Sequence, residues 1–212
     1  MYTPELFTED DPDRISEILA GYGFALVVTV DAEGSPYASH LPLIHDPRLG
    51  PRGSIVGHMA RANSQWRQFD RERDVLAVFS GPHAYVSPSW YETHPAVPTW
   101  NYAAVHVHGR PRIIDDPDGV RATVQRLVER HEADLEPPWR MDLPQSYETG
   151  MLRAIVAFEI EVSHIEAKFK LSQNRDDVDR RNVAARLDAL GFDDAKAVAR
   201  LMRQRDDVKT EE

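Results

Sequence analysis

Phe24-Ala25-Leu26-Val27-Val28-Thr29-Val30 is an apolar run of strand length, and Asp31-Ala32-Glu33-Gly34 after it supplies turn residues, with glycine where a positive φ is wanted. A hairpin follows from this, its return strand running from Tyr37 to Leu43. Pro47 to Gly53 reads as a loop, Ser54 to His58 as a short strand, Ala62 to Phe69 as a helix and Val75 to Phe79 as a buried strand. Ser80 to Pro98, rich in Pro, Ser and aromatic residues, is expected to cover the sheet. Thr99 to Ile114 and Ala154 to Lys170 alternate as long strands. Helical spacing marks three further stretches. Asp10 or Asp11 caps the first, with Pro12 in its first turn and Gly21 at its end. The second spans Asp116 to His131, with Val120, Val124, Leu127 and Val128 on one face. The third begins at Asp176 and carries Val183, Leu187 and Leu190 on a stripe, and the last ten residues are expected to fray. Pro137, Pro138 and Pro144 mark a connector. Hairpin-linked strands interrupted by helices predict an antiparallel barrel with helical additions.

The 42% of apolar residues in this 212-residue chain suffice for one substantial core. Cysteine is absent, which excludes disulfides, zinc–thiolate sites, iron–sulfur clusters and a cysteine nucleophile. The opening residues carry neither the basic nor the apolar region of a signal peptide, and no apolar run approaches the length of a membrane span, so a cytoplasmic protein is expected. The formal net charge is -10, which opposes unaided binding to duplex DNA.

No G-x-G-x-x-G, Walker A or G-x-S-x-G pattern is present, and Leu135 stands where a zincin-like sequence begun at His131-Glu132 needs its second histidine. Chemistry therefore rests on five segments, each open to two readings. Ala38-Ser39-His40-Leu41-Pro42 is either a strand facing a planar ligand or an ordinary strand with a surface histidine. In Gly57-His58-Met59-Ala60-Arg61-Ala62-Asn63, Arg61 stands where a helix begins and suits a phosphate; otherwise it is a solvated arginine beside Asn63 as N-cap. Trp100, Asn101 and Tyr102 offer ring faces and an amide, or else form a core or interface pair. His106 and His108 share one strand face, as polar or ligand-facing side chains rather than a metal site. In Glu166 to Asn174, Lys168, Lys170 and Ser172 share a face that suits a phosphate or guards a sheet edge.

Together these segments resemble the PaiB-type FMN-binding negative transcriptional regulators. The likeness runs through Met1-Tyr2 with Pro4 and Phe7, the Ala38–Pro42 and Gly57–Asn63 blocks with Trp66, and Gly81 to Tyr91. It continues through Val97–Tyr102, Val105-His106 and Ile165–Asn174. The resemblance implies a mainly β (α+β) fold, a split β-barrel of the FMN-binding type with peripheral helices. Residues 1–174 would form that domain and 175–212 a helical C-terminal extension. It further implies FMN as cofactor and a homodimer with the flavin at the subunit interface; no metal is expected from the histidine spacing. The expected flavin-site residues are Ser39, His40, Leu41, Pro42, His58, Arg61, Ala62, Asn63, Trp100, Asn101, Tyr102, Lys168, Lys170, Leu171, Ser172 and Gln173. The family role is repression of protease-synthesis and sporulation genes. A flavin-dependent oxidoreductase acting on a small molecule is the alternative, since a flavin supplies its own redox chemistry. A haem-binding or haem-degrading protein using His164 is the second alternative.

Overall fold

The structure is a computed structural model that describes residues 1–70 and 72–208. In chain order the elements are α1 (Pro12–Gly21), β1 (Phe24–Val30), β2 (Pro36–Asp46), β3 (Ser54–Ala60), β4 (Val75–Val86), β5 (Thr99–Ile114), α2 (Pro117–Glu132), α3 (Gln145–Arg153), β6 (Ile155–Lys170), α4 (Asp177–Leu190) and α5 (Asp193–Val208). The hydrogen-bonded strand order is β1-β2-β3-β6-β5-β4, and β1 pairs with β4 as well as with β2. Among the described residues, helices and strands hold nearly equal shares. The mainly β split barrel expected from the sequence is thereby corrected: the fold is mixed α+β, with one continuous six-stranded sheet rather than a split one.

The local chemistry of the chain explains these elements. Asp31 Oδ1 accepts from the amides of Glu33 and Ser35, and Gly34 takes φ +86°, which closes the β1–β2 hairpin. The hairpin register sets Val27 opposite Ser39 and Ala25 opposite Leu41. Asp116 caps α2 by accepting from Gly119 N at 2.6 Å, and Asp176 caps α4 by accepting from Asp179 N at 3.0 Å. Gly191, at φ +82°, ends α4 in the left-handed conformation. At Gly109 a Cβ would stand 2.2 Å from the carbonyl oxygen of Glu161, so β5 tolerates no side chain there.

The chain divides into two compact units. One comprises Leu19–Phe79 and His106–Ile165. All the pairings of β1 with β2 and β4, and of β3 with β2 and β6, lie in it. Its core includes the fully buried Val27, Ile55, Phe79, Val107 and Phe158, each worth about 1.5–3 kcal/mol of burial. Phe158 meets the Phe69 ring edge-on at 5.2 Å. The other unit comprises Met1–Ile18, Ser80–Val105 and the chain from Glu166 onward. Val105, Phe169, Val183, Leu187 and Val198 are fully buried there, and α4 packs against α5.

Several expectations need revision. The helix over Ala62 to Phe69 is only a five-residue 3-10 turn, Ser64–Gln68. Ser80 to Val86 extends β4 instead of covering the sheet. The helix α3 interrupts the proline-marked connector. Of the stripe Val183, Leu187 and Leu190, the first two are fully buried and Leu190 is 49% exposed. Of the last ten residues, 203–208 continue α5, and 209–212 lie outside the described residues. No helix among the described residues is long and apolar enough to cross a membrane.

Candidate functional site

Half of the sixteen expected flavin-site residues lie in each unit, and the two groups are described separately. In the unit holding β1 to β3, Ser39 and His40 stand on β2, and His58 near the end of β3. Asn63 Nδ2 donates to Ser39 Oγ at 2.9 Å, while its Oδ1 accepts from Gln65 N. Asn63 is therefore an N-cap that also ties the turn to β2. His40 is exposed and stacks on Phe24 at 5.9 Å, and Leu41 is buried. Burial lowers the His58 pKa, and its Nδ1 is buried without a hydrogen-bond partner, so the imidazole is neutral near pH 7.

Arg61 departs from the expected arrangement. Its Nε donates to Arg153 O and one Nη to Ile155 O, both at 2.7 Å, and its own amide donates to Ala154 O. No α-helix begins beside it, so the dipole that was to assist phosphate binding is missing. The guanidinium fastens the end of β3 to the α3–β6 junction. Its remaining terminal nitrogen makes no hydrogen bond among the described residues.

In the other unit, the ends of β5 and β6 bring together Trp100, Asn101, Tyr102, Lys168 and Lys170, followed by the turn at Leu171, Ser172 and Gln173. Lys168 is 8% exposed. Its ammonium donates to Tyr2 O at 2.9 Å and lies 5.3 and 5.5 Å from the ring centres of Tyr2 and Tyr102. Lys170 Nζ donates to Thr99 Oγ1 and to Trp100 O, and sits 5.9 Å from the Phe7 ring. Neither lysine pairs with a carboxylate among the described residues. Burial lowers the Lys170 pKa, and the like charge of Lys168 lowers it further. Asn101 and Ser172 are buried and bonded to each other. Gln173 bonds back to Leu171 N and Phe169 O, closing the turn on itself. Trp100 is 53% exposed, 6.0 Å from Tyr85 and 6.1 Å from His83.

Sequence reasoning missed Thr99, Tyr2 and Phe7 as partners of the lysines, and Met202 as a partner of Asn101. Tyr2, Phe7 and Thr99 belonged to the resemblance but carried no assigned role, while Met202 gave no local signal. His106 and His108 alternate with buried valines as expected, and His164 is exposed with its ring 5.8 Å from that of His108. No group of three or more metal-ligating side chains occurs among the described residues.

Comparison with known proteins adds the lineage. Residues 1–164 match the family described as "Putative FMN-binding domain". The protease synthase and sporulation protein PAI 2 of Bacillus subtilis is 38% identical over 207 residues, covering 97% of this chain and 98% of that protein. The uncharacterized protein AN0679 of Emericella nidulans is 31% identical over 81% of this chain and 83% of its own. Two solved structures share the fold at low identity. The flavocytochrome Anf3 of Azotobacter vinelandii has a TM-score of 0.59 at 14% identity, over 77% of this chain and 69% of that one. The FAD and heme binding protein of Mycobacterium smegmatis has a TM-score of 0.59 at 19% identity, over 84% and 79%. With a family model matched over most of its length and a relative 38% identical along nearly the whole of both chains, this chain belongs to the PaiB-type family of FMN-binding proteins that its sequence resembles.

Proposed function

We propose that this protein binds FMN through the lysine cluster at the ends of β5 and β6, and that it acts as a flavin-binding regulator of the PaiB type. FMN is the cofactor that family membership carries. The residues present fit that group. The observation that carries the reading is the pair Lys168 and Lys170, two ammonium groups at the end of β6 that pair with no carboxylate among the described residues, the charge of Lys168 being felt at Lys170. Carbonyl and hydroxyl oxygens now hold them, an arrangement suited to a phosphate of nearly two negative charges. Tyr102 and Trp100 beside them offer aromatic faces to a ring system. The buried unpartnered Nδ1 of His58 supports a polar ligand near β3, where Ser39, His40, Leu41, Pro42, Arg61, Ala62 and Asn63 remain proposed flavin-site residues. Bound FMN supplies hydride and one-electron chemistry; the protein's residues bind and orient it.

On this reading residues 1–174 are the flavin domain, 175–212 its helical extension, and the protein is a cytoplasmic homodimer. The net charge of -10 favours regulation without direct contact to DNA. Fluorescence titration of FMN and riboflavin tests the central assignment. Lys170→Met should weaken FMN by about 10- to 100-fold and leave riboflavin, which has no phosphate, within about twofold. Unchanged FMN affinity would remove the phosphate from this cluster.

A further inference from the structure

We propose that Asn101, Ser172 and Met202 form a positioning clamp that sets the place of the Lys170 ammonium, so that α5 acts on phosphate binding without touching the flavin. The inference rests on the reading that Lys170 meets the FMN phosphate.

Asn101 and Ser172 were expected to contact the flavin, yet their polar atoms are spent on each other. Asn101 is fully buried and Ser172 is 3% exposed. Asn101 Nδ2 donates to Ser172 Oγ at 2.9 Å, and Ser172 Oγ lies 3.2 Å from Asn101 Oδ1 as donor. The same amide nitrogen donates to Met202 Sδ, on α5, at 3.5 Å. Ser172 takes φ +64°, where a side chain other than glycine is strained. Such a conformation persists only where its surroundings enforce it. Here the Asn101 amide and the bond from Arg175 N to Ser172 O, at 3.0 Å, enforce it.

The geometry explains what is being held. Lys170 lies two residues before Ser172, and its acceptors Thr99 and Trp100 are the two residues before Asn101. The clamp thus joins the end of β5 to the end of β6 at the point where the ammonium bridges them. Met202 adds the third anchor from α5, which lies beyond the residues matched by the family model.

The test uses the full chain and titrates FMN and riboflavin against wild type, Ser172→Ala, Ser172→Gly, Met202→Ala, Lys170→Met and the double variant of Ser172→Ala with Lys170→Met. Ser172→Ala should weaken FMN by about fivefold or more with riboflavin little changed. Ser172→Gly should lose less, because glycine takes the positive φ without strain. Met202→Ala should follow Ser172→Ala. In the Lys170→Met background, Ser172→Ala should have no further effect. Independent losses in the double variant, or equal losses for FMN and riboflavin, would overturn the clamp. So would a loss of FMN in Lys170→Met that neither Ser172→Ala nor Met202→Ala reproduces, and this outcome leaves the phosphate reading intact. If Lys170→Met itself leaves FMN affinity unchanged, both fall together.

Discussion

Lys170 carries its charge against two opposing influences, burial first and the Lys168 ammonium second. Its pKa lies below the ordinary lysine value in the folded protein. The charged form is needed to hold a phosphate, so FMN affinity should decline on the alkaline side at a pH lower than a free lysine would give. Removing the like charge in Lys168→Met should move that decline upward in pH, while riboflavin binding stays flat in both proteins. A decline that keeps its position in Lys168→Met would show that another group titrates. Arg61 presents the opposite case, a cation whose fork is already engaged by the carbonyls of Arg153 and Ile155. Arg61→Ala should cost roughly 1 kcal/mol of stability, a few degrees in Tm, and reduce FMN and riboflavin affinity alike by about threefold or less. A loss of FMN alone, tenfold or greater, would return the phosphate to Arg61.

Between elements, Asp46 at the end of β2 is the clearest fastening. The carboxylate is 5% exposed and accepts from Arg48 Nε at 3.0 Å, from Arg48 Nη2 at 3.1 Å and from Arg126 Nη2, on α2, at 2.6 Å. These partners, Arg48 foremost, lower its pKa to about 2. A carboxyl depressed in the folded state adds stability above its ordinary pKa of 3.8 and loses it as pH falls towards 2. Arg48 is largely solvent-exposed, which cuts the gain to about half, so Asp46→Asn should cost about 1 kcal/mol at pH 7. Urea unfolding at pH 7 and pH 2.5 should show the variant gap closing in acid; an equal gap at both would refute it. The elements themselves were legible to unequal degrees. The β1–β2 hairpin and β5 followed from alternation and turn residues, which act locally. The expected helix after Arg61 is only a short 3-10 turn, capped by Asn63 and ended at Phe69, whose backbone is extended. Met202 was invisible as a partner of Asn101 because 101 residues separate them, and no periodicity reports such a contact. Lys168 and Lys170 were read as one face, but their carbonyl acceptors lie on other segments.

For the molecule as a whole, both units carry exposed apolar side chains. Tyr2, Tyr85, Val97 and Trp100 are exposed in one unit, and Phe24, Val30 and Tyr37 in the other. The proposed dimer is of two-fold type. Light scattering should give twice the chain mass with FMN bound; a monomer retaining flavin would contradict it. With a net charge of -10 on each chain, the proposed dimer should bind duplex DNA weakly and without sequence preference, and operator binding that survives physiological salt would reverse that view.

Asp179, fully buried on α4, accepts from the amides of Glu92 at 2.7 Å and Thr93 at 3.3 Å. A chain trimmed after Asn174 to obtain a minimal flavin fragment would strip those amides of their acceptor. It would also uncover the Pro88–Trp90 turn against which α4 packs. Such a fragment should aggregate on expression, and recovering it soluble and FMN-loaded would show that the tail is dispensable. Aggregation would make the helices after residue 174 a requirement of manufacture: the ribosome must finish them before the turn that follows β6 is covered.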